Sequence, residues 1–283
     1  CGAVGTVLAG AGRLEAEIEA LGAACRYRHF PYDFEDARGT LRLTGGRVLF
    51  DNLTARHGAG RITATGVVNN TRSWAGFELC FRGQDVALND DLYAALPDKY
   101  RRLWRQAAPL GLCDVAATVG RPEGSAATGA LPADVAIEAH LLGGSLALAQ
   151  GRRLDHVDGW LNVGGDALRV QSLHGYDGDA GVWLDGDLRL RDGDTQTDLR
   201  VAVSDLPLGQ STTLGARGGA AAPAAQFAGL ADVVGRIAGT PAEGAREQHL
   251  AVRIKTGRLH GLDAARVWVV EHGLVLVRGT ARR

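Results

Sequence analysis

Apolar and polar residues alternate one for one through much of this chain. In 14–21, Leu14, Ala16, Ile18 and Ala20 interleave with Glu15, Glu17 and Glu19. Alanine and glutamate suit a helix by composition, but strict alternation puts all the charge on one side of an extended chain and predicts a strand. Residues 34–88 then match 154–208 at a constant offset of 120, without a gap. Leu41/Leu161, Leu43/Val163, Val48/Leu168, Phe50/Val170, Leu53/Leu173, Ile62/Val182 and Ala64/Leu184 are apolar in both copies. The intervening positions are not held in this way. Arg42/Asn162, Asp51/Gln171 and Thr65/Asp185 are polar, while Thr63/Trp183 and Leu49/Arg169 exchange character. One face kept apolar and one left free to vary is the pattern of antiparallel strands with a single buried side.

Gly39, Gly45, Gly58 and Gly66 recur as Gly159, Gly165, Gly178 and Gly186. They bracket short runs at 40–44, 47–56, 61–68 and 76–82, repeated at 160–163, 167–173, 181–190 and 197–204. Short alternating runs between turn signals predict a meander of hairpins. Two stretches depart from it. Residues 90–106 open on acidic capping candidates and carry apolar residues at helical spacing, which predicts one or two connector helices. Residues 215–240 are rich in Ala, Gly and Pro, with a short helix predicted near 226–237. The expected organisation is a first β-repeat module at 1–120, a second at 121–240, and the start of a further β segment at 241–283.

Composition narrows the function classes. The 283 residues are 46% hydrophobic and 22% charged, enough to build a core. With 31 basic against 32 acidic residues the chain lacks the positive footprint of a nucleic-acid binder. No run of 18 apolar residues occurs to span a membrane as a helix. Cys1, Cys25, Cys80 and Cys113 form no CxxC pair, so no metal site is expected, while a disulfide stays open. The chain starts at Cys1 and has no Met, which points to a processed product or an interior piece; Cys1-Gly2 also fits the start of a mature lipoprotein. The eight histidines sit in no HExxH, and no GxSxG elbow or Walker loop is present, so no enzyme and no cofactor are expected. Asp-Gly-Asp at 177–179, 185–187 and 192–194 does not follow calcium-loop spacing and is predicted to mark hairpin turns.

FPYDFEDARGTLRLTGGRVLFDNLTARHGAGRITATGVV (30–68) and RLDHVDGWLNVGGDALRVQSLHGYDGDAGVWLDGDL (153–188) resemble the repeating unit of AsmA-like proteins of the Gram-negative envelope, a group that includes the TamB and YhdP relatives. The second copy lacks the Phe30-Pro31-Tyr32 element. Residues 95–119 resemble the helical connector and Pro-Leu-Gly return of the long members. The resemblance implies an elongated antiparallel β-repeat sheet curved into a trough with an apolar inner face. It also implies a periplasmic location, inner-membrane attachment through an N-terminal anchor that this chain lacks, and carriage of phospholipid between membranes or maintenance of the outer membrane.

On this reading the acyl chains lie against Leu41, Leu43, Val48, Phe50, Leu53, Ile62, Leu161, Val163, Leu168, Val170, Leu173, Val182 and Leu184. The same residues also suit the core of a closed sandwich or barrel. A second function class is a scaffold that engages outer-membrane proteins by strand addition at exposed sheet edges, without lipid. A carbohydrate-binding or hydrolytic repeat calls for aromatic and carboxylate residues along one face, and the matched face is aliphatic.

Overall fold

The computed structural model describes residues 3–10, 13–27, 30–69, 76–121, 134–148, 151–191, 194–208, 226–240, 245–260, 268–270 and 273–281. The first half comprises β1 (Ala3–Gly10), β2 (Arg13–Tyr27), β3 (Phe30–Thr44), β4 (Arg47–His57), β5 (Gly60–Asn69), β6 (Gly76–Ala87), α1 (Asp90–Ala95), α2 (Asp98–Ala107), β7 (Leu112–Arg121) and β8 (Asp134–Ala147). Then follow β9 (Arg153–Gly164), β10 (Ala167–Asp177), β11 (Ala180–Arg191), β12 (Asp194–Leu208), β13 (Gln226–Thr240), β14 (Ala245–His260), β15 (Trp268–Val270) and β16 (Gly273–Ala281). The strands lie in one antiparallel sheet in which β1 to β14 pair in chain order, and β15 and β16 both pair with β14. The order never returns to β1, so the sheet is open and is not a barrel.

The expected all-β meander with two short connector helices is therefore the fold, and 14–21 lies in a strand. The helix expected at 226–237 is instead part of β13. Ala231, Val233, Gly235 and Ile237 alternate through this stretch and pair with Leu206, Val203, Val201 and Leu199 on β12. Ladders on both sides engage the backbone there, and this outweighs the helical tendency of an alanine-rich sequence.

The 120-residue repeat is written into the backbone. Positive φ occurs at Asp36/His156, Gly39/Gly159, Gly45/Gly165, Asn52/Ser172, Gly58/Gly178, Gly66/Gly186 and Asp85/Asp205. Gly45, Gly58, Gly165 and Gly178 open two-residue hairpin turns, as expected. Gly39, Gly66, Gly159 and Gly186 do not bracket strands; they lie inside them. A Cβ on Gly66 would sit 2.2 Å from the Glu78 carbonyl oxygen, and one on Gly186 would sit 2.2 Å from that of Asp198. Only glycine lets the neighbouring strand come so close.

Asn52, Asp85, Ser172 and Asp205 are the extra residues of β-bulges. A bulge leaves its N–H without a ladder partner and bends the strand. Three bulges are closed by an aspartate on the facing strand: Asp85 N–H donates to Asp114 Oδ1 (3.0 Å), Ser172 N–H to Asp185 Oδ2 (3.3 Å) and Asp205 N–H to Asp232 Oδ1 (3.2 Å). Asp185 thus holds a bulge in mid-strand, which corrects the turn expected at 185–187. The turn expected at 177–179 is present between β10 and β11, and 192–193 lies outside the described residues.

Bulges repeated across the sheet curl it. Helix α1 follows β6 almost directly yet packs on β3, three strands away. Three strand spacings span about 14 Å when flat, against about 9 Å for a six-residue helix. Tyr32 on β3 and Cys113 on β7 are also within electrostatic reach of one another. The sheet is a trough.

Candidate functional site

The trough's inner face is aliphatic from strand to strand. Ile62, Gly83, Val115, Ala139, Leu161, Val170, Gly186, Leu199 and Ile237 form one continuous cross-strand row from β5 to β13. A row on the opposite face reads Thr54, Thr63, Arg82, Ala116, Glu138, Asn162, Arg169, Asp187 and Asp198. Side chains on a concave surface crowd and shield one another, whereas those on a convex surface splay into water. Burial follows this rule: the members of the inner row are buried or half-buried although no second sheet lies above them among the described residues.

All thirteen residues singled out from the repeat lie on this inner face. Leu41, Leu43, Val48, Phe50, Leu53 and Ile62 line β3–β5; Leu161, Val163, Leu168, Val170, Leu173, Val182 and Leu184 line β9–β11. The two groups lie on strands that β6–β8 separate in the sheet. Between them stand Phe81 of β6, inside the gapless match but not singled out, and Val115, Val119 and Ile137 of β7 and β8, which the repeat comparison missed because these two strands fall outside it. The alternation in LCDVAATV (112–119) and VAIEAHLL (135–142) carries the missing signal. Within the set, Val170 and Leu173 are packed into the core at 8% and 2% exposure, while the other eleven are half-buried.

The helices close one end of this face. The Asn89 side chain accepts from the Leu92 N–H at 3.1 Å and caps α1, with Asp90 and Asp91 in its first turn complementing the helix dipole. Leu92 packs on the cluster of Val86, Cys113, Leu141, Leu154, Val157, Val170 and Leu173. On one side, Asp91 Oδ2 lies 3.4 Å from His57 Nε2, and the His57 ring stacks on Tyr32 at 3.9 Å. On the other, Arg153 donates to the Ala108 carbonyl (3.0 Å) and to Ser145 Oγ (2.8 Å), tying the end of α2 to β8 and β9. Arg101 donates to the Leu96 carbonyl at 2.6 Å and holds α2 against α1. The cap bridges the trough from β3–β4 to β8–β9.

Desolvation beneath the cap is visible in two acid groups. Burial pushes the Tyr32 hydroxyl up to about 12, with smaller contributions from Asp91 and Cys113. Burial pushes the Cys113 thiol up to about 11, with Asp114 adding to it. Both stay neutral, as an apolar lining requires. Away from the cap, Leu43, Val48, Val119, Ile137, Val163 and Leu168 remain half-exposed, whereas Val68 is buried among its neighbours. The trough is therefore packed at one end and accessible at the other.

Among the described residues no group of three His, Cys, Asp or Glu side chains converges on a point where a metal could sit. Cys25, Cys80 and Cys113 are free thiols; a cysteine in a strand-like run is expected to be a small buried hydrophobe, which holds for Cys113, whereas Cys25 and Cys80 are exposed. No helix among the described residues is long and apolar enough to cross a membrane. Comparison of the chain with protein-family models, with curated proteins and with solved structures returned no match.

Proposed function

We propose that the trough carries the acyl chains of phospholipid along its inner face. The observation that carries this reading is a single-layer sheet whose concave side is a continuous apolar surface with no second layer over its far end among the described residues. An apolar face of this kind must be covered by another element or be offered to a ligand. Each methylene transferred onto it from water contributes about 0.8 kcal/mol. The rows supply no directional hydrogen bond to a tail, so a chain is held by area and slides with little change in energy. Fourteen strand spacings, from β1 to the edge that β15 and β16 share, give a path of about 66 Å along the curved sheet.

Carriage on such a surface is passive and makes no covalent bond. Its direction comes from partners or from differences between the membranes at either end. In the envelope setting that the AsmA-like resemblance implies, the route lies across the periplasm.

The test is photo-crosslinking in cells with benzoylphenylalanine at Phe50 and Leu168, paired with Asp51 and Arg169 on the outer face. Val170, at 8% exposure, is too deeply packed to serve. Phospholipid adducts at Phe50 and Leu168, absent from Asp51 and Arg169, are the expected result. Equal labelling of both faces sinks the proposal. So does native mass spectrometry of a lipid-free protein that instead retains β-barrel precursors.

A further inference from the structure

The outer face of the second repeat carries a depression that the repeat itself does not require. It has a volume of about 690 Å³ and spans β10 to β14. Its floor is β12, where Ala202 and Ser204 pair with Trp183 and Gly181 of β11. Trp183 and Tyr176 stand on one side at 39% and 51% exposure, with Val234 on the other at 54%. His174 and Arg253 complete the rim.

The first repeat has the same backbone with a different surface. Tyr176, Gly181, Trp183, Ala202 and Ser204 correspond to Arg56, Arg61, Thr63, Arg82 and Gln84. Long polar side chains on the floor have become small, and Thr and Arg on the wall have become aromatic. The first repeat folds without these changes, so the fold does not call for them. Two exposed aromatic rings over a small-residue floor, on a face that is otherwise charged, are a surface kept open for a ligand.

We propose that this depression binds a neutral glycan through its pyranose rings. A pyranose presents a face of C–H groups, which suits the negative face of an aromatic ring, and a rim of hydroxyls. The rim here is equipped for hydroxyls. His174 Nδ1 donates to the Ser172 carbonyl at 3.2 Å, which leaves Nε2 as an acceptor. Arg253 is fastened to Asp232 at 2.6 Å while its side chain remains 68% exposed with further N–H donors, and Ser204 supplies a hydroxyl. An acyl chain has no use for these groups. A peptide strand needs a free sheet edge, and β12 is paired on both sides. Asp232 and Asp205 together balance Arg253 and Lys255, which leaves no positive surplus for phosphate. This inference is independent of what the inner face carries.

The experiment is affinity electrophoresis of the full chain in native gels containing soluble starch, hydroxyethyl cellulose, laminarin or glycol chitin. Retardation by at least one of the four is expected. Trp183→Thr and Tyr176→Arg, which install the first repeat's residues, should each weaken it by about tenfold or more with an unchanged thermal melt. The proposal is overturned if the wild type runs unretarded in all four gels, or if both variants are retarded as strongly as the wild type. It is equally overturned if phospholipid vesicles or a second copy of the chain, rather than any glycan, protect Trp183 from acrylamide quenching.

Discussion

Gly186→Ala separates two readings of the mid-strand glycines. If they marked turns, alanine would cost only the penalty of a left-handed backbone. Gly186 instead has φ +142° and pairs with Leu199, and its added Cβ would lie 2.2 Å from the Asp198 carbonyl oxygen and 3.0 Å from Leu199 Cα. Both obstacles are backbone, so no rotamer relieves them, and β11 must move away from β12. Backbone strain of about 1–3 kcal/mol adds to the loss of ladder bonds at about 1 kcal/mol each, for a total of about 3 kcal/mol. Gly178→Ala is the control. Its φ is +63° with open space around the new Cβ, so the expected cost is about 1 kcal/mol. Urea unfolding followed by far-ultraviolet circular dichroism reads the difference. With an m-value of about 3 kcal/mol/M, the midpoint of Gly186→Ala should fall about 0.7 M below that of Gly178→Ala. Amide exchange in β10–β12 reads the same gap if the array melts in pieces. A Gly186→Ala midpoint at or above that of Gly178→Ala refutes the close-approach argument. Gly66→Ala, facing Glu78 in the first copy at the same 2.2 Å, should match Gly186→Ala.

Leu173→Ala, at a core position 2% exposed, should destabilise by about 2–5 kcal/mol, whereas Leu49→Ala on the outer face at 42% exposure should stay within about 0.5 kcal/mol in the same urea series. Hydrogen bonds from Lys255 and then Arg253 draw the Asp232 carboxyl from 3.8 down to about 2. Its contribution is therefore present above about pH 4 and lost as pH falls toward 2. Asp232→Asn should show a smaller drop in urea midpoint between pH 4 and pH 2 than the wild type, and an equal drop argues against the pin. In the native protein at pH 8, mass mapping after brief iodoacetamide treatment should find Cys25 and Cys80 alkylated. Cys113, buried with its thiol pushed up to about 11, should remain unmodified until urea is added.

Much of the architecture was legible along the chain because it depends on neighbours in sequence. Alternation at 14–21 and through both copies reports the two faces of a strand. The Asp-rich start and helical spacing of 90–106 report one or two helices, and two are observed, α1 and α2. The thirteen apolar positions were found on the same ground, and they share a face because side-chain direction has a period of two. The miss at 226–237 has a local cause as well. Its residues are mixed in propensity, and pairing to β12 and β14 decided the outcome. The outer-face depression was out of reach of the repeat comparison, which asked what the copies share; Trp183, Ala202 and Ser204 matter because the copies differ there.

Alternation and the 120-residue period alone establish an antiparallel sheet with one aliphatic side. Only the assembled sheet determined where an extra residue on one strand meets an aspartate on the next, which glycines admit a neighbour's backbone, and that α1 folds back onto β3. The reason is register. Direction along a strand is set by covalent geometry every two residues, whereas bulges, curvature and closure of one end arise from pairings between strands, where a shift of one residue changes every contact.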